Sequence, residues 1–289
     1  MRVSARTRLC AVIGDPVEHS LSPQIHNAAF RAAGVDLVYT AFHVRTGDLP
    51  RALDGVRALG IRGLSVTIPH KMDILPLLDE IEPSAAHVGS VNTVVNDDGR
   101  LKGFSSDGTG AVRAFQSLGV DPSGRNVLLL GSGGAARAIA FALAGLRPKP
   151  RLTILGIVDS EVGRLASDLS TKGGMRVRSD RPTPSVLARG VREAEIIVHA
   201  TPVGMAPNVS ESLVPEGLLR SDQVVFDAVY TPLRTRLLEI AERAGARTIP
   251  GLGMFVHQAA VQFELWTGRP APVEVMNDVV VRSLAGEDH

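Results

Sequence analysis

The 289-residue sequence holds a single cysteine, Cys10. No internal disulfide can form, and a thiol inside an apolar, strand-like stretch reads as packed core rather than as a nucleophile. Aromatic residues are scarce at 4%, and the net charge is only +1. No global field therefore favours nucleic acid or an anionic membrane, and no basic run is interleaved with aromatics. No apolar run approaches the roughly 20 residues that cross a bilayer. The basic start, MRVSARTRLCAVIG, has an apolar stretch too short for a signal peptide. A cytoplasmic chain without nucleic-acid or membrane partners is the expectation. The eight histidines show no metal-ligand spacing, and neither Gly-x-Ser-x-Gly nor a Walker loop occurs, so no metal is expected. Lysine is rare as well: of 31 basic residues only Lys71, Lys102, Lys149 and Lys172 are lysines. Arginine carries the ordinary surface charge, and arginine cannot give up a proton whereas lysine can.

One of those lysines closes LSVTIPHK, Leu64 to Lys71. The stretch begins as a strand, breaks at Pro69 and presents His70 and Lys71. His70 reads as a packing or backbone-bonding residue beside a lysine suited to proton transfer.

Short apolar strands alternate with helical patterns along the chain. Strands are expected over 8–13, 38–43, 63–68, 126–130, 152–158, 195–199, 223–229 and 247–249. Residues 91–96 and 101–104 flank Asp97-Asp98-Gly99 and read as a hairpin. Helices are expected over 23–33, with Ser22 as cap and Pro23 first, and over 50–59, 108–118, 134–146, 161–170, 234–244, 252–267 and 271–285. The stripe Phe255, Phe263, Leu265 and Trp266 reads as core. Such alternation specifies layered α/β structure, and a break between about 105 and 125 divides it into two α/β domains.

NVLLLGSGGAARAIAFAL carries the clearest chemical signal. A buried strand runs into Gly131-Ser132-Gly133-Gly134-Ala135-Ala136 and then a helix, the G-x-G-x-x-A of a dinucleotide site. The first glycine permits the turn, the second admits a pyrophosphate, and Ala136 allows close helix–strand packing. The next strand end should read the adenine ribose. It offers Gly156-Ile157-Val158-Asp159-Ser160-Glu161, with no arginine and two acids that would repel a 2′-phosphate. NAD is therefore expected over NADP, although Gly156 stands where an acid would be anticipated. In the first half, Ser20, Ser22, Thr67, Lys71, Asn92 and Asp107 fall at strand ends or turns. Together they suit a small polyhydroxylated ligand. Individually, Ser22 and Asp107 read equally as helix caps, and Asn92 as a partner for backbone groups.

HSLSPQIHNAAF, VTIPHK, GSVNTVV, SDGTG, GSGGAARA, DAVYTPL and GLGMFVHQAAVQFELWTG occur in this order over almost the whole chain. In this the sequence resembles the shikimate dehydrogenase family, including its quinate/shikimate relatives. The resemblance implies a substrate domain of residues 1–106 and 256–289, and a Rossmann-type dinucleotide-binding domain of 107–255 inserted within it. The C-terminal helices then return to the first domain. It implies that Ser20 and Ser22 hold a substrate carboxylate. Thr67, Lys71, Asn92, Asp107 and Gln258 would hold ring hydroxyls, and Tyr230 would border the site. Lys71 and Asp107 would be the catalytic pair. Gly131, Ser132, Gly133, Gly134, Ala135, Asp159, Ala228 and Gly251 would bind the cofactor.

The sequence departs from the family at Ser65, where Asn is usual, and at Ser105-Ser106, where Asn-Thr is usual. The basic Asn-Arg-Thr segment of NADP-dependent members is Gly156-Ile157-Val158, and a further basic position is Glu161, which again favours NAD. The expected activity is interconversion of 3-dehydroshikimate and shikimate, with quinate as a further substrate. A silent metabolite-binding regulator, or a dehydrogenase of an amino-substituted shikimate, are the competing readings. The expected assembly is a monomer or homodimer.

Overall fold

The computed structural model describes residues 3–285. They form two compact units: one comprises residues up to Ser106 together with those from Val256, and the other is Asp107–Phe255.

In the first unit the chain forms β1 (Arg8–Gly14), α1 (Ser22–Ala32), β2 (Leu37–His43), α2 (Leu49–Ala58), β3 (Gly63–Val66), β4 (Glu80–Ile81), α3 (Pro83–Val88), β5 (Thr93–Asp97) and β6 (Arg100–Phe104). The six strands lie in the order β2-β1-β3-β5-β6-β4. β1 pairs in parallel with β2 and β3, whereas β5 is antiparallel to both β3 and β6. Alternation decides the faces: Ala11, Ile13, Leu64 and Val66 pack on Leu49, Leu53 and Val56 of α2. On β3, a Cβ at Gly63 would stand 2.1 Å from Nε1 of Trp266, whose indole donates to Val94 O at 3.0 Å. Glycine is required there because an indole occupies the space.

The second unit contains α4 (Asp107–Ser117), β7 (Asn126–Leu130), α5 (Gly134–Ala144), β8 (Arg151–Leu155), α6 (Asp159–Thr171), β9 (Arg178–Asp180), α7 (Pro184–Glu193), β10 (Ile196–His199), β11 (Val224–Asp227), α8 (Arg236–Arg243) and β12 (Arg247–Ile249). The chain ends in α9 (Gly251–Thr267), which runs from this unit into the first, and α10 (Val273–Ala285). The sheet order is β12-β11-β10-β7-β8-β9, and every pairing is parallel. The central strands are buried on both faces and so run apolar through Val127–Leu130 and Ile196–Val198, with a polar residue only at one end of each, Asn126 and His199. Val127 and Leu129 meet α4, α5 and α6; Leu128 and Leu130 meet α7 and α8. The strand order reverses between β7 and β10, so the carboxyl ends of these strands flank the switch point where ligands bind in open α/β sheets. The Asp-Gly of SDGTG has a packing reason too: a Cβ at Gly108 would lie 2.8 Å from Ala138 O of α5.

Three local expectations change. Ser22 is the first residue of α1 rather than its cap, and the helix has no side-chain cap. The strand expected over 63–68 ends at Val66, and Ile68 to Lys71 form a turn in which His70 N–H donates to Thr67 O at 2.9 Å. The elements β4, α3, β9 and α7 are additional. β9 is three exposed residues with no apolar signal, and Gly190 interrupts the pattern of α7 although Thr183 caps it at Val186.

Two buried groups are electrically silent near neutrality. Burial pushes the Cys10 thiol up to about 12. His26 stacks on Tyr39 with ring centroids 4.5 Å apart, and its burial brings its pKa down to about 3. An unfolded chain protonates this imidazole near 6.5, so as pH falls the unfolded state gains the proton first. Stability is lost from about pH 6.5 downward, by about 2 kcal/mol at pH 5 for this group. In His26→Phe the loss of unfolding free energy between pH 7 and pH 5, measured by urea denaturation, is expected to shrink by that amount. An unchanged loss would contradict the assignment. No helix among the described residues is long and apolar enough to cross a membrane.

Candidate active site

The polar residues of the first unit are fixed by backbone bonds at the ends of β1 and β3. Thr67 N–H donates to Ile13 O at 3.0 Å, and its methyl fills the space that a Cβ on Gly14 would need. Asp15 N–H donates to Ile68 O at 2.9 Å, which joins the GDP turn to VTIP. Val66 N–H donates to Asn92 O and Val91 N–H to Lys71 O, both at 2.8 Å. The backbone of Val91-Asn92 therefore bridges the end of β3 and the half-buried Lys71. Asn92 is buried; its Nδ2 donates to Gln258 Oε1 at 2.9 Å, and its Oδ1 accepts from Ser106 N–H at 2.8 Å. Ser22 N–H donates to Ser20 Oγ at 3.3 Å, so the two serines stand together at the start of α1. His70 is buried, with Nε2 2.6 Å from Val44 O.

Of the three serines at these departures, Ser65 and Ser106 are held by internal bonds. Ser65 accepts from Tyr39 Oη at 2.6 Å and donates to Gln262 Oε1 at 2.9 Å. Gln262 in turn donates to Asn92 O and Thr93 Oγ1. Ser106 is committed to Asn92.

In the second unit Asp107 is the buried first residue of α4. The glycine turn adopts the expected geometry. Gly131 has φ +120, and a Cβ on it would lie 2.6 Å from Ala200 O, so only glycine fits. Gly133 is the N-cap of α5 in extended conformation with no side-chain cap, and a Cβ there would meet nothing within 4 Å. The first turn, with Gly134 and Ala135, contains no acid. Open space before uncapped N–H groups suits a pyrophosphate. Ala228 and Gly251 meet closely: a Cβ on Gly251 would lie 2.6 Å from both Ala228 O and Val229 O. Tyr230 stacks on Phe255 with centroids 4.2 Å apart. Phe255, Phe263 and Trp266 are buried. Among the described residues no group of three or more His, Cys, Asp or Glu could hold a metal ion.

A buried network at the ends of β10 and β11 escapes the sequence reading. His199 Nδ1 donates to Asp227 Oδ1 at 2.8 Å, and Nε2 lies 2.5 Å from Thr201 Oγ1. Asp227 also accepts from Thr235 Oγ1 at 2.6 Å and from Val229 N–H at 3.0 Å. The signal was present in DAVYTPL, whose strand-terminal acid stands one residue before Ala228.

The model of the shikimate dehydrogenase substrate binding domain matches residues 12–94, and that of the shikimate 5'-dehydrogenase C-terminal domain matches 251–281. A shikimate dehydrogenase (NADP(+)) of Moorella thermoacetica is 45% identical over 99% of this chain and 96% of its own. The structure of shikimate 5-dehydrogenase from Thermus thermophilus in complex with NADP(H) and shikimate has TM-score 0.83 and 34% identity, covering 96% of this chain and 99% of its own. Quinate dehydrogenase from Corynebacterium glutamicum in complex with NAD has TM-score 0.85 and 30% identity, covering 95% and 99%.

The expected preference for NAD is corrected by these relatives, of which the 45% identical one is named for NADP(+). The structure shows why the charge argument failed. A Cβ on Gly156 would lie 2.6 Å from Val162 Cγ2, so the place of an NAD-reading acid is closed to a side chain. Glu161 accepts from Ser132 Oγ at 2.9 Å, and Asp159 is paired with Arg181, Nε to Oδ1 at 3.2 Å. The charge of Asp159 is thus paired with a cation that the loop's own sequence does not contain, and Glu161 is tied to the glycine turn. With near-complete coverage by relatives of this kind, the chain belongs to the shikimate dehydrogenase family.

Proposed function

We propose that the protein is an NADP-dependent dehydrogenase that interconverts 3-dehydroshikimate and shikimate. The observation that carries this reading is the clustering at the end of β3. There Val91-Asn92 bonds to both Lys71 and Val66, and Asn92 bonds to Gln258.

Ser20 and Ser22 donate hydroxyl hydrogen bonds to the substrate carboxylate. Thr67, Asn92 and Gln258 hold the ring hydroxyls, and Tyr230 borders them. When bound, the dinucleotide supplies or takes up the hydride. In the oxidising direction Lys71 Nζ takes the proton of the reacting hydroxyl; in the reducing direction it protonates the alkoxide oxygen as charge develops there. Asp107 holds the same hydroxyl and orients the lysine. Gly131, Ser132, Gly133, Gly134 and Ala135 present backbone N–H groups to the pyrophosphate, and Ala228 and Gly251 line the cofactor side.

Initial rates with shikimate and with quinate, each with NADP⁺ and NAD⁺, test the reading. The fastest turnover is expected with shikimate and NADP⁺. A higher kcat/KM for quinate with NAD⁺ would place the protein with the quinate-oxidising relatives instead. No turnover by folded protein in any combination would favour a binding protein.

A further inference from the structure

We propose that Arg181, delivered by the end of β9, reads the 2′-phosphate of the dinucleotide; this rests on the NADP-dependent reading above. In a doubly wound sheet the end of the second strand meets the adenine ribose. Here that strand is β8, and Gly156-Ile157-Val158 follow it. Ile157 is 71% exposed and Val158 42%, so the loop presents apolar surface and no cation of its own. A 2′-phosphate is an anion with three strong acceptor oxygens and calls for a fixed cationic donor.

β9 pairs with β8 in parallel, with Asp180 opposite Leu155, and Gly156 N–H donates to Asp180 O at 3.3 Å. Arg181 is therefore the first residue beyond β9 and arrives level with Gly156 and Ile157. Its Nη2 donates to Ile157 O at 2.8 Å, and its Nε lies 3.2 Å from Asp159 Oδ1. These two contacts hold the guanidinium over the loop while the side chain stays 62% exposed. A guanidinium has five N–H donors, so others remain for a phosphate. The neighbouring acids are accounted for. Glu161 is directed to Ser132, Asp180 accepts from the backbone N–H of Arg181, and Asp159 is the carboxylate a phosphate must displace. The cation missing from the sequence of the loop comes from the adjacent strand, over twenty residues later.

Calorimetric titration of NADP⁺, NAD⁺, adenosine 2′,5′-bisphosphate and 5′-AMP into wild type, Arg181→Ala and Asp159→Asn tests this. In Arg181→Ala the two 2′-phosphorylated ligands are expected to bind about 10- to 100-fold more weakly, with NAD⁺ and 5′-AMP far less affected. In Asp159→Asn, with the competing carboxylate gone, NADP⁺ is expected to bind several-fold more tightly. Equal weakening of both ligand pairs, or no change for NADP⁺ in Arg181→Ala, would overturn the assignment while leaving NADP dependence intact. Wild type that binds NAD⁺ but no 2′-phosphorylated ligand would instead overturn the NADP reading, and the role of Arg181 with it.

Discussion

Lys71→Ala is expected to lower kcat for shikimate oxidation by about 10²- to 10⁴-fold, the range of a lost general acid–base, while KM changes only modestly. The backbone at this position is held independently of the side chain, because Lys71 O accepts from Val91 N–H. The substitution removes the ammonium group without removing the turn. In the proposed reading, ground-state binding of the ring rests mainly on Thr67, Asn92 and Gln258, which the substitution leaves in place. Lys71→Arg is expected to rescue little, since a guanidinium keeps the charge but does not exchange the proton. Steady-state kinetics on both variants checks this. An unchanged kcat in Lys71→Ala would remove the lysine from the chemistry.

Asp227→Ala is expected to destabilise the protein by about 3–5 kcal/mol, because it strands buried partners rather than a surface pair. One carboxylate serves His199 Nδ1, Thr235 Oγ1 and Val229 N–H, and both His199 and Asp227 are almost completely buried. Dinucleotide affinity should fall with stability. His199 and Thr201 carry the end of β10 toward the Gly131 turn, where Thr201 Cγ2 lies 3.2 Å from the position of an added Cβ. Val229 follows Ala228, which meets Gly251. Asp227→Asn keeps acceptor capacity on one oxygen and is expected to retain part of the stability. Chemical denaturation and dinucleotide titration are the measurements. A loss below about 1 kcal/mol in Asp227→Ala would show that these bonds are replaced by water.

The two layered α/β units were legible because their central strands are buried on both faces, so NVLLL reads as a parallel strand without help from its neighbours. The glycine turn was legible because Gly131 answers a steric demand visible in sequence context. What escaped depended on contacts between distant segments. Thr183-Pro184 marks the start of α7, but β9 has no apolar residue to announce it, and so the arrival of Arg181 beside Asp159 could not be seen. The NAD expectation failed for that reason: it counted charges along one loop, whereas the field there is set by two strands. Ser65 and Ser106 could be read from sequence only as departures from the family pattern; their hydroxyls are spent on Tyr39, Gln262 and Asn92. His26 gave no periodic signal for the buried stack it makes with Tyr39.

Product stoichiometry tests the coupled redox reaction itself. Purified protein is given shikimate and NADP⁺, and NADPH is followed by absorbance while 3-dehydroshikimate is identified by mass. Wild type is expected to form the two products in a one-to-one ratio, and Lys71→Ala to form them about 10²- to 10⁴-fold more slowly under conditions where that variant still binds NADP⁺. Folded wild type that binds NADP⁺ yet forms neither product would contradict the proposed reaction.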